Sequence, residues 1–201
     1  YGAHYRQVAT GQRPIADPLK IEARFAPPRP GRQEVVLLGS AGQRIVTAGE
    51  ILCLAGLTAG LQTTQKNEYN ITVLRGPSIS ELILSPAEID FTGIERPRAI
   101  IALDQEGVDR RKAMFDHLEK DTLVVQIGDV ALPACKARIQ AVDLKSLGIR
   151  KPDWALASLA VLAYQGEVIS PEMLTAALKI RFKGKILESS LALIKKLAPF
   201  S

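Results

Sequence analysis

Two places in the 201-residue chain carry residue types able to do chemistry. The first is Gly39-Ser40-Ala41-Gly42-Gln43-Arg44, between an apolar run and a helix-period pattern. Small residues let the backbone turn tightly. A turn that feeds a helix aims backbone N–H groups and the positive end of the helix dipole into one crevice, and Arg44 adds a guanidinium. An anionic group suits such a place. The second is Asp104 with Glu106, which follow the apolar run Ile100–Leu103, where α/β folds set functional groups at a strand's carboxyl end. The same two acids also read as a turn and a helix N-cap, and that is the reading we adopt.

Other chemistries lack the residues they need. There is no G-x-S-x-G, no H-E-x-x-H and no paired metal-ligand helix. The two histidines are His4, in a proline-rich tail, and His117, on a polar helix pattern. No catalytic residue and no metal ligand is therefore assigned. Cys53 and Cys135 stand far apart without a C-x-x-C, so the chain cannot supply the four thiolates of an iron–sulfur cluster or a short-spaced zinc set. Both cysteines read as small buried hydrophobes. The glycine turn is a poor dinucleotide fingerprint, since G-x-G-x-x-G would need glycine where Ala41 stands and again near Arg44 or Ile45. It is not a Walker A loop either, because no Gly-Lys-Ser/Thr follows.

The elements that position these residues read as a wound α/β fold. Val35–Gly39 is a buried strand. Ile45, Ala48, Ile51, Leu52, Ala55 and Ala59 then recur at helical spacing. Leu61–Gln65 predicts a short strand, followed by a polar loop over Lys66–Asn70. Ile71–Gly76 and Ser78–Ser85 carry further β pattern, the latter expected to be buried on much of both faces. Ile100–Leu103, Thr122–Ile127 and Ile139–Val142 complete the strands, with a polar helix over about Val108–Leu118. Strand and helix patterns alternate at βαβ spacing, which predicts a Rossmann-like, mostly parallel sheet with helices on both faces. Three C-terminal helices follow. Asp153–Tyr164 carries an Asp N-cap, a second helix opens on Ser170-Pro171-Glu172 and runs to about Arg181, and a third covers Ile186–Leu197. Lys179, Arg181, Lys183 and Lys185 read as a solvated helix end.

Charge and composition divide the chain at residue 33. Residues 1–33 hold six cations, two acids and Pro14, Pro18, Pro27, Pro28 and Pro30. Proline fixes φ and removes donors, so this segment is expected to be extended and without a core. It is either a leader or an arm that docks on a partner subunit through anchors such as Tyr1, Tyr5, Ile15, Leu19, Ile21 and Phe25. Residues 34–201 form a single domain. Most of the net charge of +5 belongs to the arm, so the body is close to neutral and no nucleic-acid face is expected. No apolar run reaches the ~20 residues of a membrane span, and the N-terminus lacks the apolar core of a signal peptide. A cytoplasmic location is the default expectation.

Four segments, in order, resemble one family. GSAGQR resembles the G-x-G-G-Q-G turn in the γ subunit of 2-oxoacid:acceptor oxidoreductases. Tyr69–Ser80 (YNITVLRGPSIS) is similar to its Y-G-x-E-x-R-G-G-x-S segment, with Arg75-Gly76 as the Arg-Gly pair. Ile100–Asp109 (IIALDQEGVD) resembles its D-x-x-I-A-L-D-Q-E-A run. Ile169–Lys185 (ISPEMLTAALKIRFKGK) is similar to its closing segment. Ala41 and Arg44 replace glycines of the turn, and Pro77 replaces the second glycine after the arginine. A phenylglyoxylate dehydrogenase type is one candidate branch. The resemblance implies a multi-subunit enzyme that converts a 2-oxoacid and coenzyme A to acyl-CoA and CO2, with electrons passing to ferredoxin or NAD. It implies thiamine diphosphate, Mg2+ and 4Fe-4S clusters in the partners. These partners are the alpha, beta and ferredoxin-like delta subunits and, where NAD is the acceptor, an NAD-reducing subunit. For this chain it implies coenzyme A binding and assembly. The candidate contacts, to the CoA phosphates or to a subunit interface, are Gly39, Ser40, Ala41, Gly42, Gln43, Arg44, Arg75 and Gly76.

Overall fold

The computed structural model describes residues 20–69 and 75–198. Six strands form one sheet: β1 (Gln33–Ser40), β2 (Gln62–Tyr69), β3 (Pro77–Ser85), β4 (Ala99–Ala102), β5 (Leu123–Ile127) and β6 (Arg138–Val142). Their order is β2-β3-β1-β4-β5-β6. β1, β4, β5 and β6 pair in parallel, whereas β3 is antiparallel to both β1 and β2. β3 alone therefore runs against the other five strands. The short link from β2 to β3 leaves no room for a crossover helix, so the two pair as antiparallel neighbours.

β1 alternates between two cores, as a strand buried on both faces must. Val35 and Leu37 face one cluster with Ile45, Ile51, Leu52 and the C-terminal helices. Val36 and Leu38 face another with Ile100, Val108, Phe115 and Val124. Helix α1 (Ile45–Leu57) lies on the first face. The second is covered by α2 (Gln105–Arg110) and a 3₁₀ segment, Lys112–His117. One helix was expected over about Val108–Leu118; the chain instead starts earlier, on its Asp104 cap, and tightens to 3₁₀ after Arg110. α3 (Trp154–Tyr164), α4 (Pro171–Arg181) and α5 (Gly184–Lys196) close the first face. Ser170 caps α4 as its sequence predicts, accepting from the Met173 N–H at 3.3 Å.

Two local expectations are corrected. Lys66–Tyr69 are not loop, because β2 continues through Tyr69 in register with β3. At a sheet edge one side faces water, so a strand can carry Lys66, Asn67 and Glu68. Cross-strand and helix pairs support them: Glu68 takes Arg110 at 2.5 Å and Arg111 at 2.7 Å. Asp153 does not cap α3 through its side chain; its carboxylate turns to arginines instead. Residues 70–74, which include the expected Ile71 strand, and Tyr1, Tyr5, Ile15 and Leu19 lie outside the described residues.

The lead-in from Lys20 lies against this chain's own body. Arg24 and Phe25 donate their N–H groups to the Thr58 carbonyl at 2.7 and 3.2 Å, Phe25 packs on the core, and Arg29 pairs with Glu167 at 2.9 Å.

Candidate functional site

The carboxyl ends of β1 and β4 meet where the chain reverses its winding. β1 feeds α1 on one face, and β4 feeds α2 on the other. Such a switch point opens a crevice outside the strand ends. The turn Gly39–Arg44 forms one wall and Asp104 the other.

The turn is held from within. The Gln43 N–H donates to the Ser40 carbonyl at 3.2 Å. The Ser40 N–H donates to Gln43 Oε1 at 2.8 Å. Gln43 Nε2 donates across to Asp104 Oδ2 at 3.3 Å. Gln43 is 2% exposed, so its amide is a buried strut between the two walls. Gly42 has φ 87° and Arg44 φ 58°. Arg44 is the only non-glycine residue at positive φ among the described residues. A side chain in that region costs about 1 kcal/mol, which explains physically why the resembled motif has glycine at this position. Here the strain is retained, and the guanidinium reaches Asp153 Oδ1 at 3.3 Å.

The second candidate segment joins the first. The Ala41 N–H donates to the Gly76 carbonyl at 3.0 Å, which sets exposed Arg75 beside the turn. Pairs thirty residues apart in sequence thus become one wall. No side chain caps α1, and the first N–H groups of a helix have no partner within it. Those of Ile45, Val46 and Thr47 stand at the positive end of the α1 dipole.

Asp104 fills the structural role adopted for it, accepting from the Glu106 N–H at 3.3 Å as the N-cap of α2. Burial alone would raise its carboxyl. Lys151 at 3.0 Å, the Glu106 N–H and Ser40 outweigh that and hold it below the ordinary carboxylate range. Asp104 is therefore a neutralised, ionised anchor. Gly107, one turn on, abuts the site: a Cβ there would lie 2.5 Å from the Gly39 backbone nitrogen. Neither Lys151 nor Gly107 stands out in the sequence, and Asp153 reads there as a cap, not as a partner of this turn. Lys151 and Asp153 come from a connection more than forty residues beyond Asp104, and no local pattern ties them to it.

Of the remaining candidates, Cys53 and Cys135, expected to be buried, are only partly buried. His117 and the cations Lys179, Arg181, Lys183 and Lys185 are exposed. Cys53 packs against the core, and burial pushes its thiol up to about 11. Among the described residues, no group of three or more His, Cys, Asp or Glu side chains is placed to hold a metal, and no helix is long and apolar enough to cross a membrane. The strand order also bears on nucleotide binding. A dinucleotide half-unit sets the second parallel strand beside the first, whereas here antiparallel β3 separates β1 from β2.

Fold and turn together define a wound α/β domain in which the glycine turn and the Arg75-Gly76 segment meet beside the switch point. A family model described as pyruvate ferredoxin/flavodoxin oxidoreductase matches residues 34–197. The chain belongs to that family, as its sequence resemblance implies. Among curated proteins, the 2-oxoglutarate synthase subunit KorC of Methanocaldococcus jannaschii is 34% identical over 82 residues, which are 40% of this chain and 44% of that protein. KorC of Methanothermobacter marburgensis is 30% identical over 78 residues, covering 38% and 42%. The chain thus spans less than half the length of these relatives. Among solved structures, the γ subunit of a keto/oxoacid ferredoxin oxidoreductase from Geobacter sulfurreducens superposes with a TM-score of 0.71 at 24% identity. That match covers 84% of this chain and 95% of that one. The pyruvate oxidoreductase subunit PORC of Thermotoga maritima gives 0.67 at 16% identity, covering 84% and 96%. Both are likenesses of fold.

Proposed function

We propose that this chain is the γ subunit of a multi-subunit 2-oxoacid oxidoreductase and that its crevice receives the diphosphate of coenzyme A. The complex converts a 2-oxoacid and coenzyme A to acyl-CoA and CO2 and passes two electrons to an acceptor. Thiamine diphosphate, Mg2+ and the 4Fe-4S clusters belong to the alpha, beta and delta subunits in this reading; with two cysteines in all, this chain lacks the thiolates a cluster needs. The arm would dock on those partners through residues ahead of Lys20 only; Phe25, expected as one of its anchors, packs on this chain's own core instead.

One observation supports the proposal: the Ala41–Gly76 hydrogen bond joins the Arg75-Gly76 segment to the turn that leads into the uncapped N-terminus of α1. Backbone donors at a helix N-terminus, with an arginine in each of the two joined segments, suit a diphosphate. Asp104, across the crevice, is neutralised by Lys151 and does not repel it. The residues present bind and orient. In this reading the bond-making chemistry belongs to the partner subunits.

In the assembled complex, Arg44→Gly and Arg75→Ala are each expected to raise the KM for coenzyme A roughly tenfold. The KM for the 2-oxoacid and kcat should change little. Glycine suits φ 58°, so the first variant should melt no lower than the parent. A CoA KM within twofold of the parent in both variants would reduce the crevice to an interface.

A further inference from the structure

Beyond the crevice, a cavity of about 790 Å³ lies between α1, the 148–153 loop, the end of α4 and α5. Its floor is apolar, built from Ile51, Leu156, Phe182 and Leu193. α5 is the least covered helix of the body: of its thirteen residues only Ser190 and Ile194 are buried. Ile186, at the cavity's mouth, is 60% exposed.

The rim is cationic. Arg44, Arg150, Arg181 and Lys196 stand around it. Among the described residues two acids answer them: Asp153, shared by Arg44 and Arg150, and Glu50, which takes Arg181 at 3.2 Å. The cations do not converge on one point. Lys196 is tied to the Leu147 carbonyl, Arg181 to α1, and Arg150 to the loop. A phosphate needs convergent donors, whereas separated cations over an apolar floor match a longer ligand with spaced carboxylates and hydrophobic side chains.

From this charge complementarity we infer that the groove between α1 and α5 docks an acidic, amphipathic segment of a partner subunit. The inference rests on the subunit reading above. The segment places apolar side chains on Phe182 and Leu193, covers Ile186, and sets carboxylates against Arg150, Arg181 and Lys196. The site is separate from the coenzyme crevice, although Arg44 borders both.

The test uses the full chain and its purified partner subunits. The double variant Arg150→Glu/Lys196→Glu changes exposed side chains and should fold like the parent. Its affinity for the partners is expected to fall at least tenfold at low salt, with a weaker salt dependence than the parent's. A photo-crosslinker at position 186 should label an acidic segment of a partner subunit within the assembled complex. Equal capture of parent and double variant would overturn the groove assignment while leaving the subunit reading intact. So would crosslinks only between copies of this chain. Failure of the parent chain to bind any partner would overturn both.

Discussion

Glu167→Gln is expected to destabilise the isolated chain by about 3–5 kcal/mol. Glu167 is 2% exposed and lies in the link between α3 and α4. Three guanidiniums converge on it: Arg29 at 2.9 Å, Arg98 at 2.6 Å and Arg138 at 2.5 Å. They come from the lead-in, the start of β4 and the start of β6, so one carboxylate ties four segments together. The amide cannot replace the charge: Arg98 keeps only the exposed Asp121, at 3.4 Å, while Arg29 and Arg138 lose the Glu167 carboxylate. For a chain of this length the melting temperature should drop by roughly 6–20 °C. Residues 24–32 should exchange amide protons faster, because Arg29 loses its partner.

The same residue sets an acid dependence. Burial alone would raise the Glu167 carboxyl, but hydrogen bonds from Arg138 and Arg98 and the charges of Arg98 and Arg29 hold it below its ordinary value. A depressed carboxylate contributes stability that is present above its unfolded-state value and is lost as pH falls through the folded one. The parent should therefore lose stability below the ordinary carboxylate range. The Gln variant should lack that component, and the gap between the two should narrow on acidification. A parallel offset at all pH values would contradict this account of Glu167.

Gly107→Ala is the second large effect. Its Cβ would stand 2.5 Å from the Gly39 nitrogen and 2.6 Å from the Leu38 carbonyl carbon. Both are backbone atoms of β1 and cannot swing away as a flexible side chain would. α2 must lift from the strand end, at a cost of about 1–3 kcal/mol. The displacement falls on the first residue of the turn, so coenzyme A affinity should drop by more than the loss of stability accounts for. Glu106→Ala, an exposed change on the same helix, should cost under about 0.5 kcal/mol. Equal effects of the two substitutions on melting and on the KM for coenzyme A would show that the contact does not position the turn.

What could be read from the sequence follows the range of the interactions. The β1–turn–α1 unit, the Ser170 cap and the buried strands rest on contacts within a few residues, and they were legible. Gly39–Arg44 and Arg75-Gly76 were legible as separate segments; that Ala41 bonds to Gly76 depends on β3 pairing antiparallel to β1, which periodicity does not encode. The direction of β3 was hidden for the same reason. The full length of β2 is hidden because edge strands need no apolar alternation, and Glu68 in its second half is held by Arg110 and Arg111 at the end of a distant helix. Asp153 looked like a cap from its place before an apolar helix. Its real partners are Arg150 and, 109 residues away, Arg44.

As proposed, this chain works as a coenzyme-binding γ subunit inside a larger oxidoreductase. Native purification through a tag on this chain, with mass spectrometry and a visible spectrum of the product, tests it most directly. A γ subunit should bring co-purifying larger subunits, a broad iron–sulfur absorbance carried by them, and 2-oxoacid oxidation that requires coenzyme A. A colourless, partner-free chain that binds a nicotinamide cofactor by itself would contradict it.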